Sequence, residues 1–243
     1  MPIPAPLLRR TIRAWPSQAL LHFRGRDASL TAVSGQPLAL TRSGTRTATD
    51  TTGATVAAVQ SMPAWSVSAA LADGNKYAGL TVGASDALVT TGPPAPAAMS
   101  GVVDLVQSAA AVSLDYFLSI SNAAASGAYF YIGGTSGVYV AGYYDGATEV
   151  KSLIGRAAGE NGKRVRLRFV WSATGTVQIW RTIDGGAEST DAVSGTLARA
   201  AWPTGAVWRI NQLGSSANGV AGLLLSVKVV PGEQTLATID ATI

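Results

Sequence analysis

The run R-V-R-L-R-F-V-W, Arg164 to Trp171, restricts what this chain can fold into more than any other stretch of it. Val165, Leu167, Phe169 and Trp171 take every second position, with Arg164, Arg166, Arg168 and Val170 between them. A side-chain period of two belongs to an extended strand with one dry face and one face turned to water or a partner. A helix would scatter the same arginines around its circumference. Gly222 to Val230 repeats the pattern, with Leu223, Leu225, Val227 and Val229 expected on one face and Ser226 and Lys228 opposite. Strand-length apolar runs recur at Ser66–Leu71, Gly79–Val82, Val102–Val106, Val112–Ile120, Ala128–Ile132, Val138–Tyr144, Thr176–Ile183 and Ala206–Leu213. Turn chemistry separates several of them: Gly133-Gly134 with Gly137, Asp145-Gly146, and Asp184-Gly185-Gly186. Many short strands divided in this way predict an all-β sandwich or barrel, not an alternating α/β enzyme.

Composition agrees. Hydrophobic residues make up 47% and charged residues 13% of the 243, a balance incompatible with a disordered chain. No apolar run approaches the ~18 residues of a membrane-spanning helix. No basic-then-apolar leader opens the sequence either, so the expectation is a protein made and kept in a cytoplasm until it meets its partners. With no cysteine, disulfides and thiolate metal sites are excluded.

Charge is distributed unevenly. Residues 1–46 hold seven arginines against one acid, Asp27. Pro2, Pro4 and Pro6 fix an extended start that cannot donate to a central ladder. The reading is an N-terminal basic, proline-rich attachment arm over 1–28, with Arg9, Arg10, Arg13, Arg24 and Arg26 as its docking residues. The β-sandwich domain follows over 29–243. Without lysine clusters or interleaved aromatics, the arm reads as a protein-docking segment before a nucleic-acid one.

Catalytic constellations are hard to assemble. His22 is the sole histidine and lies in the arginine-rich arm, a poor place for a buried general base or a zinc ligand. The four glutamates, Glu149, Glu160, Glu188 and Glu233, each fall near a glycine-rich turn, without the carboxylate pair that glycoside hydrolysis requires. Gly155, Gly159 and Gly162-Lys163 fail the spacing of a phosphate loop and read as a hairpin loop. The expectation is a non-enzymatic protein without a cofactor. Tyr143, Tyr144 and Asp145 at one turn, together with Trp180, form the candidate glycan-binding set, since a sugar can stack on an aromatic ring. Trp171, on the apolar face of its strand, is expected in the core.

Two regions carry a resemblance. L-T-R-S-G-T-R-T-A-T-D-T-T-G-A-T-V, Leu40 to Val56, with its close at Met62-Pro63-Ala64-Trp65, resembles a segment of phage structural proteins, from which it departs by Thr51 and Thr52. Ala128 to Glu233 is similar to the back half of concanavalin A-like, laminin G-like jelly rolls of phage particles. Gly142-Tyr143-Tyr144-Asp145-Gly146, the strand from Arg164, T-V-Q-I-W-R-T-I-D-G-G from Thr176, Arg209–Gly214 and Gly219–Glu233 carry that likeness. The resemblance implies an antiparallel jelly-roll β-sandwich, clearest over 112–233, with an extended N-terminal arm. It also implies a non-enzymatic structural component of a tailed bacteriophage virion. Such a protein would be a capsid decoration, head-fibre or tail accessory protein, a homo-oligomer that contacts major capsid or tail proteins. The alternative is a tail-fibre adhesin for a host surface glycan. Laminin G-like relatives bind calcium through loop aspartates, which makes Asp145 and Asp184 the calcium candidates.

Overall fold

In the computed structural model the described residues are 21–24, 41–42, 65–67, 78–82, 88–91, 97–107, 114–121, 127–157, 159–190, 193–198, 207–211, 213, 219 and 222–240. They form strands β1 (Leu21–Arg24), β2 (Thr41–Arg42), β3 (Trp65–Val67), β4 (Ala78–Val82), β5 (Leu88–Thr91), β6 (Met99–Gln107), β7 (Asp115–Ser121) and β8 (Tyr129–Gly134). Then come β9 (Val138–Tyr144), β10 (Glu149–Gly155), β11 (Arg164–Trp171), β12 (Val177–Ile183), β13 (Ser189–Thr190), β14 (Val193–Ser194), β15 (Val207–Ile210) and β16 (Gly222–Pro231). A short helix, α1 (Leu236–Asp240), follows.

The strands make two eight-stranded antiparallel sheets packed face to face, the all-β jelly-roll sandwich that the alternation predicts. The first sheet runs β13-β12-β11-β6-β16-β4-β3, with β1 also on β16. The second runs β14-β10-β9-β8-β7-β15-β5-β2. One edge of β16 pairs with β6 along its length; the other pairs with β4 at Gly222–Leu224 and with β1 at Ser226–Val229. Leu21–Arg24 is therefore part of the sandwich, although it falls inside the segment read as an arm.

Aromatic rings interlock the two layers. Phe130 and Tyr143 come from the second sheet, Phe169 and Trp171 from the first, and all four are fully buried. Phe130 stacks on Trp171 at 5.0 Å between centroids, Tyr143 meets Trp171 at 4.6 Å, and Phe130 meets Phe169 at 5.3 Å. Each such contact adds about 1 kcal/mol beyond the area it buries. Gly101 on β6 is required beneath them, because a Cβ there would meet the Lys228 carbonyl oxygen and the Phe169 ring.

Three expectations change. The apolar face of β16 is not continuous: a bulge between Leu224 and Ser226 turns the strand over. Leu224, Val227 and Val229 join the main core, while Leu223 and Leu225 pack with Val106 in a separate cluster. Gly133 and Gly134 remain in β8, and the reversal is made by Thr135–Gly137, where Thr135 Oγ1 accepts from the Gly137 and Val138 amides. Residues 156–163 do not close a hairpin within one sheet. They carry the chain from β10 in the second sheet to β11 in the first. That crossover is pinned by Glu160, 2% exposed, which accepts from Tyr139 Oη at 2.8 Å and the Ala157 amide at 2.6 Å. Arg181 lies 2.9 Å and Arg156 3.5 Å from the same carboxylate.

The arginine face of β11 is covered by acids from distant parts of the chain. Asp104, the β6 partner of Arg166, is 1% exposed and takes both Arg164, at 2.5 Å, and Arg166, at 3.0 Å. Asp240 at the end of α1 grips Arg168 with both carboxylate oxygens, at 2.8 and 2.9 Å. Ile239 is buried, and its carbonyl accepts from Lys228 Nζ at 3.4 Å.

Candidate functional site

The outer face of the second sheet gathers four tyrosines. Along β8, Phe130 and Ile132 point into the core, so Tyr129 and Tyr131 point away from it. The register then sets their neighbours. One row across the sheet reads Glu149–Tyr144–Tyr129–Ser121, and the next reads Lys151–Gly142–Tyr131–Ser119. Tyr116, opposite Gly133, completes the group from β7. Ring centroids lie 5.2 Å apart for Tyr129 and Tyr144, 5.9 Å for Tyr129 and Tyr131, and 5.4 Å for Tyr116 and Tyr131.

Gly142 makes this arrangement feasible. A Cβ at that position would stand 2.5 Å from the Tyr131 ring, so Tyr131 lies across β9 in the space a side chain would fill. Its hydroxyl reaches Glu149 and donates to Oε1 at 2.6 Å, while Lys151 Nζ approaches Oε2 at 3.0 Å. Burial, then the Glu149 carboxylate that it donates to, hold the Tyr131 hydroxyl far above the ordinary phenol range. Burial, then Tyr129 and Glu149, push Tyr116 up to about 12. Burial, then Glu149, also raise Tyr129. These phenols therefore remain protonated donors at neutral pH. Tyr131 is itself buried and anchors the group, so the half-buried rings of Tyr116, Tyr129 and Tyr144 are the ones a ligand can reach. With a carboxylate and an ammonium beside them they suit a polyhydroxylated ligand: rings cover its C–H faces while the charged pair orients its hydroxyls.

The sequence-derived glycan set is not assembled as such. Tyr143 is a correction: it faces the core against Trp171 and is fully buried, so no sugar can stack on it. Tyr144 belongs to the tyrosine face, and its hydroxyl donates to the Gly146 carbonyl at 2.8 Å. Asp145 closes the turn beside it, accepting from the Ala147 and Thr148 amides at 2.8 Å, and those bonds lower its pKa. Trp180 is on the other sheet, opposite Arg168. Asp184, the other calcium candidate, accepts from the Arg164 amide at 2.8 Å, and the two aspartates are on different sheets. Among the described residues no three His, Cys, Asp or Glu side chains gather in a metal-binding group. Arg9, Arg10, Arg13 and Arg26 lie outside the described residues. Arg24 is described only as backbone in β1.

Tyr116, Tyr129, Tyr131, Glu149 and Lys151 were not singled out by sequence. The available signal was Y-F-Y at 129–131, an alternation that already places two tyrosines on the face opposite Phe130.

No family model matches the chain, and a search of curated proteins finds no relative. Solved structures do show the fold elsewhere. Domain 4 of AbnA, a GH43 extracellular arabinanase from Geobacillus stearothermophilus solved with arabinotriose, superposes with TM-score 0.56 at 13% identity, over 93% of this chain and 98% of that one. The enzymatically active domain of bacteriophage CBA120 tailspike protein 2 matches with TM-score 0.55 at 13% identity, over 84% of this chain but 30% of that one. The receptor binding domain of botulinum neurotoxin type G gives TM-score 0.57 at 10% identity, over 92% and 50%. At these identities the likeness is one of fold: the chain is an antiparallel β-sandwich of the kind these proteins contain.

Proposed function

We propose that this chain is a non-catalytic glycan-binding module displayed on a bacteriophage particle, where it holds a polysaccharide of the host surface. The tyrosine face with Glu149 and Lys151 carries the reading, because it offers aromatic stacking and hydrogen bonding on a rigid sheet. The arabinanase domain solved with arabinotriose and the toxin's receptor binding domain support a binding role for a sandwich of this shape. The phage tailspike supports the setting. On a glycan array, the wild-type protein is expected to retain neutral oligosaccharides. Tyr129→Ala and Tyr144→Ala should each weaken retention by about tenfold, the equivalent of about 1.4 kcal/mol for one stacked ring. Unchanged binding in both variants would remove the site.

The arginine-rich first 46 residues favour a second reading, a capsid decoration or tail accessory protein docked on capsid or tail proteins through Arg9, Arg10, Arg13, Arg24 and Arg26. Immunogold labelling and quantitative mass spectrometry of purified particles separate the two. Hundreds of copies over the head support decoration, a few at the tail support an adhesin, and absence from particles defeats both phage assignments.

A further inference from the structure

We propose a second binding site, selective for an acidic sugar, on the outer face of the first sheet, centred on Arg166 and Arg168 beside Trp180. It is separate from the tyrosine face, so either site stands without the other. Arg164, Arg166 and Arg168 leave β11 at alternate positions, about 7 Å apart. With Thr182 of β12 and the turn glycines Gly185 and Gly186 they line an open pocket of about 230 Å³. That is below the ~300 Å³ at which pockets for drug-sized ligands begin, and it suits one charged substituent of a sugar ring. Trp180 is the cross-strand partner of Arg168 and is half-buried. Trp180 and Arg168 therefore share the outer face, about 5 Å apart between Cβ atoms.

The carboxylates already present define the chemistry. Asp104 is buried and fixed on β6, a permanent counterion for Arg164 and Arg166. Asp240 and Glu188 are different: their side chains are 33% and 37% exposed, and they are carried by α1 and by the link from β12 to β13. Asp240 makes a bidentate pair with Arg168, and Glu188 takes its remaining nitrogen at 2.6 Å. A ligand carboxylate or sulfate can take the Asp240 position with the same fork geometry. A neutral hydroxyl is a poor substitute, because Arg168 would keep Glu188 as its one charge partner among these acids in a largely buried setting. The shared chemistry is an oxyanion on a pyranose ring, with the ring against Trp180 and the oxyanion at Arg166 and Arg168.

The test titrates sodium glucuronate, glucose 6-sulfate, glucose and inorganic sulfate into the full chain by calorimetry, with thermal melts to confirm that each variant is folded. Saturable binding of either acidic sugar is expected, and glucose should not displace it. Arg166→Gln should weaken it at least tenfold. Asp240→Asn should strengthen it about tenfold by removing the internal competitor. Trp180→Ala should weaken the acidic sugars and leave inorganic sulfate unchanged, while Tyr129→Ala should change nothing. The proposal is overturned if neither wild type nor Asp240→Asn binds an acidic sugar, if only inorganic sulfate binds, or if Arg166→Gln binds as well as wild type. Failure of neutral glycans at the tyrosine face leaves this site standing.

Discussion

Lys228 is a buried cation in the first sheet. It sits mid-strand in β16, 1% exposed, with its ammonium directed at the Ile239 carbonyl. Burial lowers its pKa from 10.5 to about 8, against the opposing pull of Asp240. A lysine whose folded pKa is depressed costs stability at neutral pH, where both folded and unfolded chains carry the proton. Above pH 8 the folded state releases the proton while the unfolded chain still binds it, so stability rises until about pH 10.5. At about 1.4 kcal/mol per pH unit, the whole gap is worth about 3 kcal/mol, of which about 2 kcal/mol accrues between pH 7 and pH 9.5. The tyrosines act in the opposite sense: Tyr116, Tyr131 and Tyr139 have raised folded values, so the stability they contribute is present below pH 10 and lost above it. Urea denaturation of wild type from pH 7 to 9.5 should therefore show increasing stability. Lys228→Met keeps the volume and removes the charge. It should gain about 2 kcal/mol at pH 7, after allowing for the lost hydrogen bond, and abolish the rise. A flat or falling wild-type profile, or a Met variant that loses stability at pH 7 and keeps the slope, would refute the reasoning.

Other positions make separate tests. Glu160→Ala leaves Arg156 and Arg181 facing each other without their buried counterion and should cost about 3–5 kcal/mol by chemical denaturation, far more than an exposed substitution. Gly142→Ala forces the Tyr131 ring off β9 and should cost about 1–3 kcal/mol, together with a measurable loss of neutral-glycan retention. Tyr143→Ala should destabilise by about 3–5 kcal/mol, as a core aromatic does, whereas Tyr144→Ala should lower the melting temperature little and act on binding.

Where local alternation decides structure, the sequence is readable. β9 and β11 have the predicted bounds, because each puts uniformly apolar side chains on its inward face. β10 was missed: Ser152 occupies an inward position, and Glu149 and Lys151 lower strand propensity, so its period of two is weak. The face of β16 was misjudged because a bulge inserts one residue, and nothing in L-L-L-S-V marks which leucine it displaces. The tyrosine face was hidden for a different reason. Its residues come from four strands, and only the cross-strand register places Gly142 beneath Tyr131 or Glu149 opposite Tyr144. Likewise the arginines of β11 announced a polar face, but their partners lie 60 positions upstream and 72 downstream. Tyr143 shows the converse error. Adjacent tyrosines at a turn look alike in sequence, yet a strand sends one inward and the next outward.

The place of β16 also fixes an order of assembly. It fills the slot between β6 on one side and β4 with β1 on the other, so the middle of the first sheet stays open until residues 222–231 have been synthesised. A nascent chain carries β6 with one unsatisfied edge through more than a hundred residues of translation, closing long loops last and at high contact order. Completion of the sandwich waits for β16. A chain stalled before Gly222 exposes two facing strand edges, which is the form that chaperones must hold or proteases remove.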